Sequence, residues 1–283
     1  MSNYSIPKST RINKLIDALF EKIPEIEADR GILITESYMK TEDKPIITRR
    51  AEAFAHILEN IPIVIRDNEL IVGSTTKSPR GCQVFPEFSF SWLESEFDTI
   101  EKRSADPFYI SEETKVALKN AYKYWHGKTT SELATSYMNP DTIKAIEYNI
   151  FTPGNYYYNG VGHVTVCYDK ILEIGYEGII KEAQDELKLC RVSDMDYVSK
   201  SQFLNSVILS CKAVINYAKR YSVLAKKLAE KCIDKKRKKE LEIISKNCDR
   251  VPEKGARNFY EACQSFWFVQ MLLQLESSGH SIS

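Results

Sequence analysis

Acid–base, nucleophilic or metal chemistry near neutral pH would start in this 283-residue sequence from four histidines and seven cysteines. Two of the histidines stand directly after a glycine: His163 in "NGVGHVTV" and His280 in "SSGHSIS", 117 residues further on. Glycine lets a backbone turn sharply and approach a ligand closely. Imidazole can donate to or accept from an oxygen near neutral pH. Two such loops could converge on a small polar substrate; on composition alone the plainer reading, that both histidines are turn residues satisfied by local backbone, is favoured. A third, His56, falls within a helical pattern and reads as structural. The stretch "NYYYNGVGHVTVCYDK" (155–170) adds Tyr156, Tyr157 and Tyr158, which either line a site or pack against neighbours, packing being favoured.

The cysteines, at 82, 167, 190, 211, 232, 248 and 263, are odd in number and at least 15 residues apart. No Cys-x-x-Cys spacing exists, so a clustered thiolate metal site has no support, and buried reduced thiols are expected. "GVGHV" lacks the third glycine of a dinucleotide fingerprint. No Gly-x-Ser-x-Gly elbow and no His-Glu-x-x-His pattern appears. Lys plus Arg equal Asp plus Glu at 39 each, which gives no global electrostatic case for nucleic acid or an anionic membrane. The run "DKKRKKELE" (234–242) has no interleaved aromatics and reads as a solvated helix turn. No apolar run approaches the roughly 20 residues of a membrane helix, and the first residues lack a signal-peptide pattern, so a cytoplasmic location is expected.

Helices must position the two loops. Ser9 or Thr10 caps a first helix bearing Ile12, Leu15, Ile16 and Leu19 at helical spacing. A second is expected over about 25–40, and a third follows Pro45 and runs to Asn60. In "IPIVIRDNELIVGS" (61–74) two β-branched runs flank polar residues, which predicts a hairpin or two short strands. Helices resume from Trp92 to Asn149, with Ser111 and Ser131 as candidate starts. Segment 151–178 then holds five of the eleven glycines. Beyond it no glycine occurs until Gly255, and Leu204, Ile208, Cys211, Ile215, Ala218 and Ala225 form the stripe of a long helix. A last helix over about 256–276 carries Phe266 and Trp267. No repeat, low-complexity tract or linker marks a boundary, so 1–283 reads as one unit.

Blocks along the whole chain carry a resemblance: "RGILITESY" (30–38), "HILENIPIVIRDNELIVGS" (56–74), "QVFPEFS" (83–89), "GKTTSELATSYM" (127–138), "GNYYYNGVGHVTVCYDKIL" (154–172), "FYEACQSFWF" (259–268) and "SSGHSIS" (277–283). In these the sequence resembles the N-terminal part of glycyl radical enzymes of the pyruvate formate-lyase superfamily, with the cobalamin-independent glycerol and propanediol dehydratases as the nearest subgroup. The resemblance implies a mainly α chain: the helical shell portion of a ten-stranded α/β barrel, with short β elements near 61–74. It implies elimination of water from a vicinal diol by a carbon–oxygen lyase. His163 then stands where the family's acid protonates the departing hydroxyl, and His280 and Ser281 among the groups that hold the diol. No cofactor or metal is expected on this chain. The intact family enzyme uses a protein glycyl radical, installed by an S-adenosylmethionine/iron–sulfur activating enzyme, and is commonly a homodimer.

The sequence also departs from that pattern. The family's thiyl cysteine and base glutamate sit in a "GCVE"-like segment. The Gly-Cys of "GCQV" (81–84) belongs to another block, so Cys82 is not assigned that role. The "RVxGY"-like glycyl loop is missing too. The expectation is therefore a chain that is catalytically inactive without the remaining C-terminal portion. The alternative is a non-catalytic helical binding or interaction module. Apolar surface left uncovered on helix 256–276 would favour association.

Overall fold

The computed structural model describes residues 9–152, 159–160 and 162–277. Helix α1 (Thr10–Phe20) starts where Ser9 Oγ accepts from the Ile12 amide. None of its residues is buried; it is tied to the body by Arg11, which donates to the Asn68 carbonyl and pairs with Glu240. Strand β1 (Glu25–Glu27) follows and pairs in parallel with β2 (Gly81–Gln83) in the register Glu25 to Gly81. The expected 25–40 helix is thereby shortened to α2 (Asp29–Lys40). Pro45 precedes α3 (Ile46–Asn60), as its fixed φ and missing N–H suit a helix start.

Segment 61–74 holds no strand, contrary to the sequence expectation. Its backbone is satisfied by side chains instead of a ladder. Gln264 accepts from the Val72 amide at 2.9 Å and donates to the Val72 carbonyl at 2.7 Å, as a strand neighbour would. Tyr221 Oη accepts from the Ser74 amide, and Trp267 Nε1 donates to the Gly73 carbonyl. The β-branched residues there face the body to different depths: Ile61 and Val72 are buried, and Ile63, Val64, Ile65 and Ile71 are half-buried.

Short helices α4 (Ser91–Glu96), α5 (Glu112–Trp125), α6 (Thr130–Ser136) and α7 (Pro140–Glu147) come next. Ser111 caps α5 as expected. Thr129, rather than Ser131, caps α6, in a capping box with Glu132. Then come α8 (Tyr168–Leu189), α9 (Tyr197–Lys231), α10 (Lys235–Arg250) and α11 (Phe259–Ser277). Asp234 caps α10, and most of the basic run that follows is exposed, the solvated turn read from the sequence.

The 35-residue α9 is the spine; α3, α8 and α10 all pack on it, and α2 packs on α3 and α5. Leu204, Ile208, Cys211, Ile215, Ala218 and Ala225, the stripe read from the sequence, are buried along it. The main core joins Ile34 of α2, Ile57 and Leu58 of α3, Leu118 of α5, Tyr217 and Tyr221 of α9, and Phe268 and Leu272 of α11. No helix among the described residues is long and apolar enough to cross a membrane.

Candidate functional site

Helix α11 is anchored by Phe268, Met271, Leu272 and Leu275, all nearly inaccessible, and ends beside the "SSGHSIS" block. The last carbonyls of a helix have no intrahelical donor and lie at its negative end. Here two arginines from distant elements supply donors. Arg30 of α2 gives its Nε to the Leu275 carbonyl at 2.6 Å and an Nη to the Glu276 carbonyl at 3.2 Å. Arg50 of α3 also reaches the Glu276 carbonyl and meets the Glu276 carboxylate at 2.7 Å. Between the arginines lies Glu87, 6% exposed, at 2.6 Å from Arg30 and 3.3 Å from Arg50. Phe85 lies under the Arg30 guanidinium, 3.7 Å from ring centroid to Cζ.

Burial alone would raise the Glu87 carboxyl. The charge and hydrogen bonds of Arg30, with the charge of Arg50, more than offset it and hold that carboxyl below its ordinary range. Removing one member of such a buried group would strand the others' charge, at about 3–5 kcal/mol.

The glycine–histidine loop reaches the same place from α8. Tyr168, in the first turn of α8, donates from Oη to Gln270 Oε1 at 2.6 Å, and its ring lies 4.4 Å from that of Phe266. Both partners belong to α11. Further back, Gly160 is buried against the end of that helix; a Cβ there would stand 2.5 Å from the Ser277 carbonyl oxygen. Glycine at 160 is thus required by close approach. Three residues on, His163 has a left-handed backbone, φ 55°, and an exposed side chain.

The two segments singled out by sequence, 117 residues apart, therefore approach each other through Gly160 and Ser277. His280 and Ser281 themselves, like Tyr156, Tyr157 and Tyr158, lie outside the described residues. His56 is a surface helix residue paired with Glu36 at 3.0 Å. No group of three or more His, Cys, Asp or Glu able to hold a metal occurs among the described residues. Cys211 and Cys248 are buried, and burial pushes the Cys211 thiol up to about 11. An open apolar cleft of about 300 Å³ lies beside Arg50 and Glu276, lined also by Phe54, Phe203 and Val207; His163 is not among its lining residues.

Sequence reasoning missed Arg30, Arg50, Glu87 and Gly160 as parts of this site. Arg30 and Glu87 stand inside quoted blocks, "RGILITESY" and "QVFPEFS". Their pairing across 57 residues, and with a helix end 245 residues away, is not visible along the chain.

Comparison with known proteins agrees with this architecture. The pyruvate formate lyase-like family profile matches residues 4–283. The chain belongs to that glycyl radical enzyme family. It is 35% identical over 278 residues to the (2S)-3-sulfopropanediol dehydratase of Klebsiella oxytoca, covering 96% of this chain and 34% of the relative. A structure concerned with 1,2-propanediol dehydration in Roseburia inulinivorans superposes on all of this chain with TM-score 0.95 and 58% identity, and on 34% of its own length. The glycerol-bound form of the B12-independent glycerol dehydratase from Clostridium butyricum gives TM-score 0.96 and 54% identity, over 100% of this chain and 36% of that one. This chain thus spans about a third of the length of the proteins it matches, and corresponds to their N-terminal part. The mainly helical structure is a fragment of the family's barrel fold.

Proposed function

We propose that this chain is the N-terminal portion of a glycyl radical diol dehydratase that eliminates water from glycerol or 1,2-propanediol. The observation that carries the reading is the seating of the His163 loop, through Gly160, on the end of α11 that leads to His280 and Ser281. The 54–58% identity to the two solved dehydratase structures supports the choice of substrates. The glycyl radical, the thiol it converts to a thiyl by taking its hydrogen, and the base glutamate would be supplied by the remaining C-terminal portion of the enzyme, and the thiyl would abstract a hydrogen atom from C1 of the diol, becoming a thiol again.

This chain's own residues do the rest. Hydroxide is a poor leaving group, so the departing hydroxyl needs a proton delivered as its bond to carbon breaks. The imidazole of His163 delivers it. His280 and Ser281 hydrogen-bond the diol and fix which hydroxyl faces that acid. The chain alone performs no dehydration. In an activated polypeptide of the relatives' length, His163→Ala should lower kcat by about 10²–10⁴-fold while KM moves only a few-fold. Equal losses in both would make His163 a binding residue and not the acid.

A second reading has its own observation. Phe259, Phe266 and Trp267 of α11 are 85%, 45% and 39% exposed. Such a face suits association with a further protein portion, and a helical interaction module would use it without chemistry. Complementation separates the two: restored turnover with a C-terminal portion supports the dehydratase, and association without turnover supports the module.

A further inference from the structure

The Arg30–Glu87–Arg50 cluster does more than the fold requires. Arg30 has five N–H donors, and five acceptors lie within 3.4 Å of them: the carbonyls of Leu275, Val84 and Glu276 and both carboxylate oxygens of Glu87. Its side chain is wholly inaccessible. Buried ion pairs of this kind can often be replaced by apolar residues of similar volume without loss of stability. An apolar core could not bond the two carbonyls at which α11 ends, nor fix the direction in which the chain leaves them.

We propose that Arg30, Arg50 and Glu87 are positioning residues that set the exit of the chain from α11, and so the placement of Ser277 against Gly160 of the His163 loop. Glu87 holds both guanidinium groups in register, and they hold the carbonyls of Leu275 and Glu276. Glu87 is itself anchored through the chain around it: its carbonyl accepts from the Thr130 amide at 3.0 Å, and Gln83 Oε1 accepts from the Arg30 amide at 3.0 Å. One cluster thus ties the "RGILITESY", "QVFPEFS" and "GKTTSEL" blocks to the helix that leads into the last one. A lysine at either arginine would supply charge without the planar fork, so Arg-to-Lys would not be conservative here.

The functional meaning rests on the diol-site reading, but the test needs no substrate and fails separately from it. In the 283-residue chain, amide exchange over 275–283 and the imidazole resonances of His280 and His126 are followed by NMR. Arg50, at the edge of the cluster with 28% side-chain exposure, is the position to vary, since replacing Arg30 risks the whole fold. Arg50→Gln should speed exchange over 275–277 about tenfold or more and shift the His280 resonance, leaving α10 amides and His126 unchanged. Glu276→Gln should act in the same direction more weakly, and Arg50→Lys should recover part of the loss. Unchanged exchange and an unmoved His280 signal in both Arg50→Gln and Glu276→Gln would overturn the proposal. So would acceleration by the same factor in α10, which would mean a general loss of stability.

Discussion

Glu87 is the residue on which charge balance near the site turns. Two arginines hold its carboxyl below the ordinary range against the opposing effect of burial. A carboxylate with a depressed folded-state pKa contributes stability that is present above its unfolded value, about 4.3, and is lost as pH falls through the lower folded value. The melting temperature of the chain should therefore fall steeply below about pH 4. That acid-side slope should be shallower in Glu87→Gln, whose neutral side chain has nothing to titrate. Parallel pH profiles for the two proteins would contradict the assignment. His163 stands out along the sequence because histidine beside glycine is unusual and chemically suggestive. Gly160 was not, because the need for glycine there comes from the Ser277 carbonyl, 117 positions away.

At the scale of elements, the break in α8 decides where the glycine–histidine loop emerges. Gly175 has φ 65° and ψ −179°, a conformation open essentially to glycine alone. The freed backbone is satisfied by the connection after α10: the Tyr176 and Glu177 amides donate to the carbonyls of Pro252 and Glu253, each at 2.9 Å. In return the Ala256 amide donates to the Leu172 carbonyl at 2.8 Å, and Gly255 lies so near Glu173 that a Cβ would stand 2.0 Å from its oxygen. Two glycines thus let two backbones cross, and the first turns of α8 swing onto α11. Gly175→Ala would place a Cβ 2.3 Å from the Glu253 carbonyl oxygen as well as straining φ. It should cost about 3 kcal/mol or more in urea denaturation; a loss below about 1 kcal/mol would mean that the crossing relaxes freely. The long stripe of α9 and the caps at Ser9, Ser111 and Pro45 were legible because helix periodicity and capping are local. The false strands at 61–74 arose because β-branched residues mark burial as readily as a ladder, and the groups that satisfy this backbone come from α9 and α11.

For the molecule as a whole, the sequence blocks become intelligible as one arrangement. "RGILITESY" and "QVFPEFS" meet in the ionic cluster, "IPIVIRDNELIVGS" is gripped by Gln264, Tyr221 and Trp267, and the glycine–histidine loop abuts the end of α11. The mainly helical class could be read from periodicity. The site could not be assembled that way, since its contacts join α2, α3, α8 and α11 across more than 100 residues. The chain corresponds to about a third of the relatives' length, and Phe259, Phe266 and Trp267 of α11 are exposed in it. The most direct test is aldehyde formation from glycerol and from 1,2-propanediol by a polypeptide of the relatives' length containing these residues, activated anaerobically, beside its His163→Ala form and the isolated 283-residue chain. The expected result is turnover of a diol by the first, loss of it in the variant with the radical signal retained, and none from the isolated chain. A full radical signal without aldehyde, undiminished turnover by His163→Ala, or dehydration by the isolated chain would contradict the diol-site assignment.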